Sequence, residues 1–455
     1  MRYTNLHPID FRYQTEEMGK LFTEEHKLAL WLQVEAALAE VHAELGNIPR
    51  EAAIEIKKKA TLEYVKVDRV KEIEAEIHHD LMAMVRALTE VCEGDAGKYI
   101  HIGATSYDIE DPAQMIMLMD GLKVIEKRLR TLLLILVKNA EDSKDRVCVG
   151  RTHGQQAIPT TYGMRFAVWA AEMGRHIDRL EEIYGRTAVG KFSGAVGTMD
   201  AYPDQGFEIQ KRVLEKLNLR PVLIANQVLQ RDRHAEIIMQ LALIAATLDK
   251  IAREQRVLQR TEVGEMFEPF KKSQVGSSAM PHKRNPHKSE RICGLARVIK
   301  SNVSIALENV SLEDERDLTN SASERVLFAE TFVLLDFMLT QAEKLLQGVV
   351  FNEKNIRRNL ELTKGGIFTA KIMIKLVEKG IGRQDAHEIL RNAAIQSRED
   401  DRHLKEILMA DSEVGNLFTP EEWDALFLPE NYIGTAKEQV KRVCATLREK
   451  YDLPN

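Results

Sequence analysis

The chain has 455 residues, 44% of them hydrophobic, which is enough for two or three domains with a sizeable core. Its 64 Lys and Arg against 70 Asp and Glu leave a net charge of −6, with both signs interspersed, and this argues against a nucleic-acid-binding surface. The cysteines Cys92, Cys148, Cys293 and Cys444 are widely spaced and form no Cys-x-x-Cys pair, so free thiols in a reducing compartment are expected, with neither a disulfide framework nor a zinc site.

No apolar signal region follows Met1-Arg2-Tyr3, and the most apolar run, 132–137, is too short for a bilayer; a soluble, cytoplasmic protein is the expectation. Residues 23–45 read as one helix, with Glu24 and Glu25 in its first turn and Gly46 beyond its end. A longer helical pattern covers 113–142, interrupted by Gly121, and others cover 163–184, 232–262, 287–311 and 322–347. Long helices joined by polar connections predict an all-α chain built on a central long-helix bundle of five helices. Residues 237–246 are apolar nearly all round, which predicts burial on every side and, in a bundle of this size, cover from other subunits. The stretch 355–366 reads as a connection ending in Gly365-Gly366, with shorter helical patterns after it. The expected division is an N-terminal helical domain over 1–110, the bundle over 111–354 and a small helical domain over 355–455.

The run from Gly276 to Pro286, Gly-Ser-Ser-Ala-Met-Pro-His-Lys-Arg-Asn-Pro, carries no apolar period and interrupts the helical pattern. Gly276 frees the backbone, while Pro281 and Pro286 stiffen the second half of the run. Lys283 and Asn285, close after the paired serines Ser277 and Ser278, suit an anion held beside a candidate base. The chain has no Gly-x-Gly-x-x-Gly fingerprint and no phosphate-cradling Gly-Lys-Ser/Thr loop.

This run resembles the signature loop of the fumarase/aspartase superfamily, Gly-Ser-Ser-x-Met-Pro-x-Lys-x-Asn-Pro, and His282 and Arg284 look like what adenylosuccinate lyases carry at two of its variable positions. Gly150-Arg151-Thr152-His153-Gly154-Gln155 resembles the second signature, and the segment from Gln227 to His234 the third. Glu315-Arg316-Asp317, Asn320-Ser321 and Glu324-Arg325 resemble a fourth, and His7-Pro8-Ile9-Asp10-Phe11-Arg12-Tyr13 resembles the opening of adenylosuccinate lyases. The resemblance implies a nearly all-helical, three-domain fold assembled as a homotetramer with shared active sites. It also implies elimination of fumarate from adenylosuccinate, and from the succinylated aminoimidazole carboxamide ribotide of purine synthesis. That chemistry needs no metal and no cofactor.

The resemblance assigns Ser277 as general base, with Ser278 the alternative, and His153 as general acid, a role that a proton exchangeable near neutral pH suits. Glu290 matches the carboxylate that partners this histidine. Lys283 and Asn285 match the pair that binds a substrate carboxylate and stabilises the carbanion. Thr152, His79 beside Asp80, and His101 match further active-site positions, as does Gln227. Thr105, Ser106 and Asp108 resemble a substrate loop, although Pro112 stands where a threonine is usual and is expected at the start of the long helix. Arg12, Tyr13, Arg316, Ser321 and Arg325 match a phosphate-binding set, and guanidinium forks suit phosphate. His234, opening a helix beside Arg231 and Arg233, is expected to stay out of the chemistry. The loop from about Lys271 to Pro286 is expected to order over bound substrate.

Overall fold

The structure, a computed structural model, describes residues 7–270, 273 and 276–454. Among these are 17 α-helices and three two-stranded sheets, so the chain is all-α in class. The long helices are Ser106–Asp142, Tyr162–Thr187, Asp232–Leu258, His287–Glu308 and Thr319–Leu346, close to the spans that the apolar period predicts. The earlier helix is Glu24–Glu44: the Thr23 hydroxyl caps it by accepting the His26 N–H at 3.2 Å. Gly46, at φ 79°, takes the left-handed turn beyond its end.

The Ser106–Asp142 helix starts well before its apolar period does, so Pro112 lies inside the helix and not at its start. The cause is local. The Asp108 carboxylate accepts the Thr105 N–H at 2.9 Å while its own N–H reaches the Thr105 carbonyl at 2.9 Å, closing a helical turn upstream of the proline. Gly121 in the same helix is where the Phe332 ring packs: a Cβ there would lie 2.6 Å from the ring, so glycine lets the two helices approach.

The chain folds into two units, one comprising Met1–Leu129, His176–Leu248 and Gly294–Thr340, the other Arg130–Arg175, Asp249–Cys293 and Gln341–Asn455. Every boundary falls within one of the long helices. In the first unit, the chain itself buries Ile237, Ile238, Leu241, Ile244 and Ala245, while Met239 and Leu243 stay 38% and 51% exposed. The expectation that other subunits must cover this helix therefore shrinks to one stripe. The buried His176 ring shares this region, satisfied by Thr247 at 2.9 Å and Gln240 at 3.2 Å.

In the second unit, Val147–Thr152 and Gln155–Thr161 pair antiparallel, with a bulge between Val149 and Arg151. The stretch read as a connection over 355–366 is partly helical, within Glu353–Glu361. Asn352 caps that helix by accepting the Asn355 N–H at 3.2 Å, and Ile356, Asn359 and Leu360 are buried. Among the described residues no helix is long and apolar enough to cross a membrane.

Candidate functional site

In the first unit, several of the expected phosphate-binding residues gather around Tyr107. The Arg316 guanidinium lies 3.6 Å from the centre of that ring and donates to Gln227 Oε1 at 2.9 Å. Among the described residues its buried Nη2 has no hydrogen-bond partner, an open donor in a charged fork. Ser321 and Tyr107 line the same cleft, and Arg325 donates to Asp80 at 2.6 Å. Burial pushes the Asp80 carboxyl upward, but the Arg325 bond and charge outweigh it and hold the group below its ordinary value. Arg12 is exposed and donates to the Tyr13 hydroxyl at 3.2 Å, and the Tyr13 ring sits 5.4 Å from that of Phe337.

A cleft of about 170 Å³ opens here, lined by Lys27, Trp31, Tyr107, Glu110, Ser321 and Arg325. Burial and the neighbouring Asp80 charge push the Glu110 carboxyl up to about 8, against the pull of Arg325. Behind it, Arg231 is fully buried and pairs with Asp111 at 2.9 Å and Glu324 at 2.8 Å. His234 is buried beside it; burial first, then the charges of Arg231 and Arg233, pushes its ring well below the ordinary range, so it is neutral.

His79 is exposed and caps the Asp80–Val91 helix, its Nδ1 accepting the Met82 N–H at 3.4 Å. His101 has a left-handed backbone, φ 63°, and its Nδ1 lies 2.7 Å from Glu35 Oε1. Burial disfavours a charged His101 ring, but the Glu35 bond and charge, with Asp108, outweigh that and raise its pKa. Thr105 and Ser106 form the half-buried entry to the long helix. Asp108 is buried, and its carboxylate is taken up by the N–H groups of Thr105 and Ser193 at 2.9 Å, Gly194 at 3.1 Å and the Lys191 ammonium. Sequence reasoning places Asp108 on substrate; here it holds two loops together.

In the second unit, His153 and Gly154 form the tip of the hairpin, with φ 54° and 73°. Left-handed conformation at both positions is the two-residue turn that matches strand twist, and it costs a histidine about 1 kcal/mol. The tip leaves Thr152 and His153 exposed. Below it, Arg151 pairs with buried Glu265, which also accepts the Tyr162 hydroxyl at 2.5 Å and the Asn359 amide at 2.7 Å. That buried carboxylate anchors the base of the hairpin.

The signature loop is described from Gly276 onward; Lys271, Lys272, Gln274 and Val275 lie outside the described residues, so the expected ordering of the loop over substrate falls partly on them. A Cβ on Gly276 would come within 2.1 Å of the Lys283 carbonyl oxygen, so only glycine permits this fold-back. The Gly276 carbonyl accepts His287 Nε2 at 3.1 Å, and the Arg284 carbonyl accepts the Gln259 amide at 3.0 Å. Glu268 caps the His287–Glu308 helix through the N–H groups of Lys288 at 3.2 Å and Ser289 at 2.7 Å. Between these anchors Ser278 and Lys283 are exposed, while Ser277 and Asn285 are half-buried. The Ser277 Oγ accepts the Met280 N–H at 3.1 Å. Glu290 is exposed in the first turn of the helix, on a different element from His153.

A family model described as lyase matches residues 10–300, and one described as adenylosuccinate lyase C-terminus matches 365–443. The adenylosuccinate lyase of Methanocaldococcus jannaschii is 55% identical over 98% of this chain and 96% of its own length. The chain belongs to the adenylosuccinate lyase family of the fumarase/aspartase superfamily. The adenylosuccinate lyase of Pyrococcus abyssi is 53% identical over 98% of each chain. Among solved structures, a fumarate lyase from Mesorhizobium sp. BNC1 superposes with a TM-score of 0.88 at 31% identity, over 95% of this chain and 98% of that one. The 3-carboxy-cis,cis-muconate lactonizing enzyme of Pseudomonas putida superposes with a TM-score of 0.90 at 30% identity, over 98% and 99%. The chain is accordingly a lyase enzyme.

For a member of this family the motif residues were legible, but their supports were not. Glu35, Glu110, Glu265 and Glu268 belong to none of the signature motifs. The signal for Glu35 was a carboxylate on the apolar face formed by Leu28, Trp31, Leu32 and Leu38.

Gly276→Ala should cost more than about tenfold in activity and also lower the melting temperature, since Gly276 is buried and the Lys283 carbonyl must move. Steady-state rates with parallel melting curves check this. Glu110 gives a pH-dependent expectation. A carboxyl raised in the folded state contributes stability present below its unfolded pKa, about 4.3, and lost as pH rises through about 8. Glu110→Gln should therefore gain in melting temperature relative to the parent between pH 5 and pH 9. An unchanged difference across that range would contradict the assignment.

Proposed function

We propose that the chain eliminates fumarate from adenylosuccinate, giving AMP, and performs the same anti β-elimination on succinylaminoimidazole carboxamide ribotide. The observation that carries this reading is the likeness to adenylosuccinate lyases along nearly the whole chain. The site chemistry supports it. Removing a weakly acidic proton next to a carboxylate needs a base whose charged form is stabilised, and Ser277 Oγ already accepts a backbone N–H. That favours Ser277 over Ser278. Lys283 and Asn285, presented by the same loop, bind the substrate carboxylate and offset the charge that builds on it. His153 delivers the proton to the departing nitrogen, oriented by Glu290 in the assembled site. Thr152, His79 and His101 line the substrate, and Thr105, Ser106 and Asp108 shape the loop beside it. Arg316 with its open Nη2, Ser321, Arg325, Arg12 and Tyr13 hold the phosphate end, Gln227 contacts the substrate, and Asp80 neutralises Arg325 until ligand arrives. No step in this scheme calls on a metal or cofactor.

The same reading includes a cytoplasmic homotetramer with shared active sites and the three-part division 1–110, 111–354 and 355–455. The segments around His79 and His101, around His153, and from Ser277 to Glu290 would each come from a different subunit.

Ser277→Ala should lower fumarate release by at least about a hundredfold while AMP binding, read by calorimetry, stays within a few-fold. Full activity in that variant, with loss in Ser278→Ala, would move the base to Ser278. The shared site has its own test. Inactive His153→Gln and inactive Lys283→Ala proteins, refolded together in equal parts, should recover roughly a quarter of the parent activity, because a random symmetric oligomer gives that share of sites both intact segments. Mixed oligomers that form and stay inactive rule it out.

A further inference from the structure

We infer that Glu35 is a positioning residue for His101: its carboxylate takes both the ring Nδ1–H and the backbone N–H of that one residue, leaving Nε2 to meet an anionic group of the substrate. The distances are 2.7 Å to Nδ1 and 3.2 Å to the backbone nitrogen, one from each carboxylate oxygen. Glu35 is 1% exposed, in a helix whose same face carries Leu28, Trp31, Leu32 and Leu38. Among the described residues both of its hydrogen bonds go to His101.

A buried carboxylate at such a place is expensive, and a well-packed apolar residue would stabilise the helix at least as well. Its retention makes sense if the histidine needs it. His101 needs holding in two respects. Its backbone is left-handed, φ 63°, a conformation that a histidine adopts only when something fixes it, and the bond to its N–H does so. Its ring would otherwise be free to rotate and to lose its proton on burial. Bonding at Nδ1 decides which nitrogen faces the ligand, because a ring that donates from Nδ1 can meet an acceptor only through Nε2. The other charged group acting on the ring is Asp108, whose carboxylate is already bonded to Lys191. Glu35 is thus the nearby carboxylate free to pair with it. The role of the ring toward substrate rests on the proposed function; the Glu35–His101 pair does not.

The test compares Glu35→Gln with the parent protein. Glutamine keeps the size and one acceptor oxygen but removes the charge. With His101 assigned by loss of its resonance in His101→Gln, the imidazole of Glu35→Gln should titrate at lower pH than in the parent. With adenylosuccinate as probe, KM should rise about tenfold, the usual worth of a charge-assisted hydrogen bond, with kcat within a few-fold. The basic limb of the kcat/KM profile should move to lower pH. Adding Glu35→Gln to His101→Gln should cost little more, since the ring that it positions is gone. A His101 titration unchanged by Glu35→Gln, or losses that simply add in the double variant, would overturn the inference. Should glutamine not fold at this buried site, Glu35→Asp, charged but shorter, should keep the titration raised and still raise KM; an unchanged KM there overturns it equally. A parent protein that releases no fumarate would sink the proposed function alone, and the pair would then be judged by the titration.

Discussion

Arg231 keeps a full positive charge where no solvent reaches it, and Asp111 and Glu324 meet it at 2.9 and 2.8 Å. Its Nη1 also donates to the Leu229 carbonyl at 2.8 Å, and Asp111 accepts the Leu229 N–H at 2.7 Å. Charges buried this deeply tolerate no loss of a partner: removing one leaves an uncompensated ion, a cost of about 3–5 kcal/mol. The triad therefore sets the register between the Ser106–Asp142 and Thr319–Leu346 helices and the entry to Asp232–Leu258. Tyr107 lies one turn before Asp111, and Ser321 and Arg325 flank Glu324, so the cleft that they line inherits its geometry from this node.

The second unit uses the same device with different residues. Glu265 gathers Arg151, Tyr162 and Asn359 beneath the hairpin, and Glu268 caps the helix after the signature loop. Both carboxylates are buried, whereas His153, Ser278, Lys283 and Glu290 stand exposed. Polar frames centred on these two carboxylates thus support the tip and the loop on which His153, Ser278 and Lys283 stand. Two of the left-handed non-glycine residues, His101 and His153, are candidate site residues, each next to a bond or turn that holds it.

An elimination of this kind divides its needs between charge and proton transfer. The cationic set around Tyr107 and the loop from Gly276 to Pro286 belong to different units of the fold. Each is held internally by its own carboxylates. Asp108 and Asp80 take up backbone amides and cations, the Ser193 N–H at Asp108 and the Arg325 guanidinium at Asp80.

The amino-acid order alone determined what is local. Apolar period and caps placed the long helices, because Thr23, the apolar period and the glycines act within a few residues of themselves. The signature loop was legible for the same reason: its glycine, prolines, serines and lysine are contiguous. What the linear pattern could not show is pairing over distance. Glu35 meets His101 across 66 positions, and Arg231 meets Glu324 across 93. The early start of the long helix before Pro112, and the helix within 355–366, likewise arise from side-chain caps and burial that periodicity does not record. A buried carboxylate looks like any other in a row of letters. Only the tertiary structure decides which charge it meets, and with that its protonation and its role, because those depend on solvent exclusion and neighbours that the fold brings together.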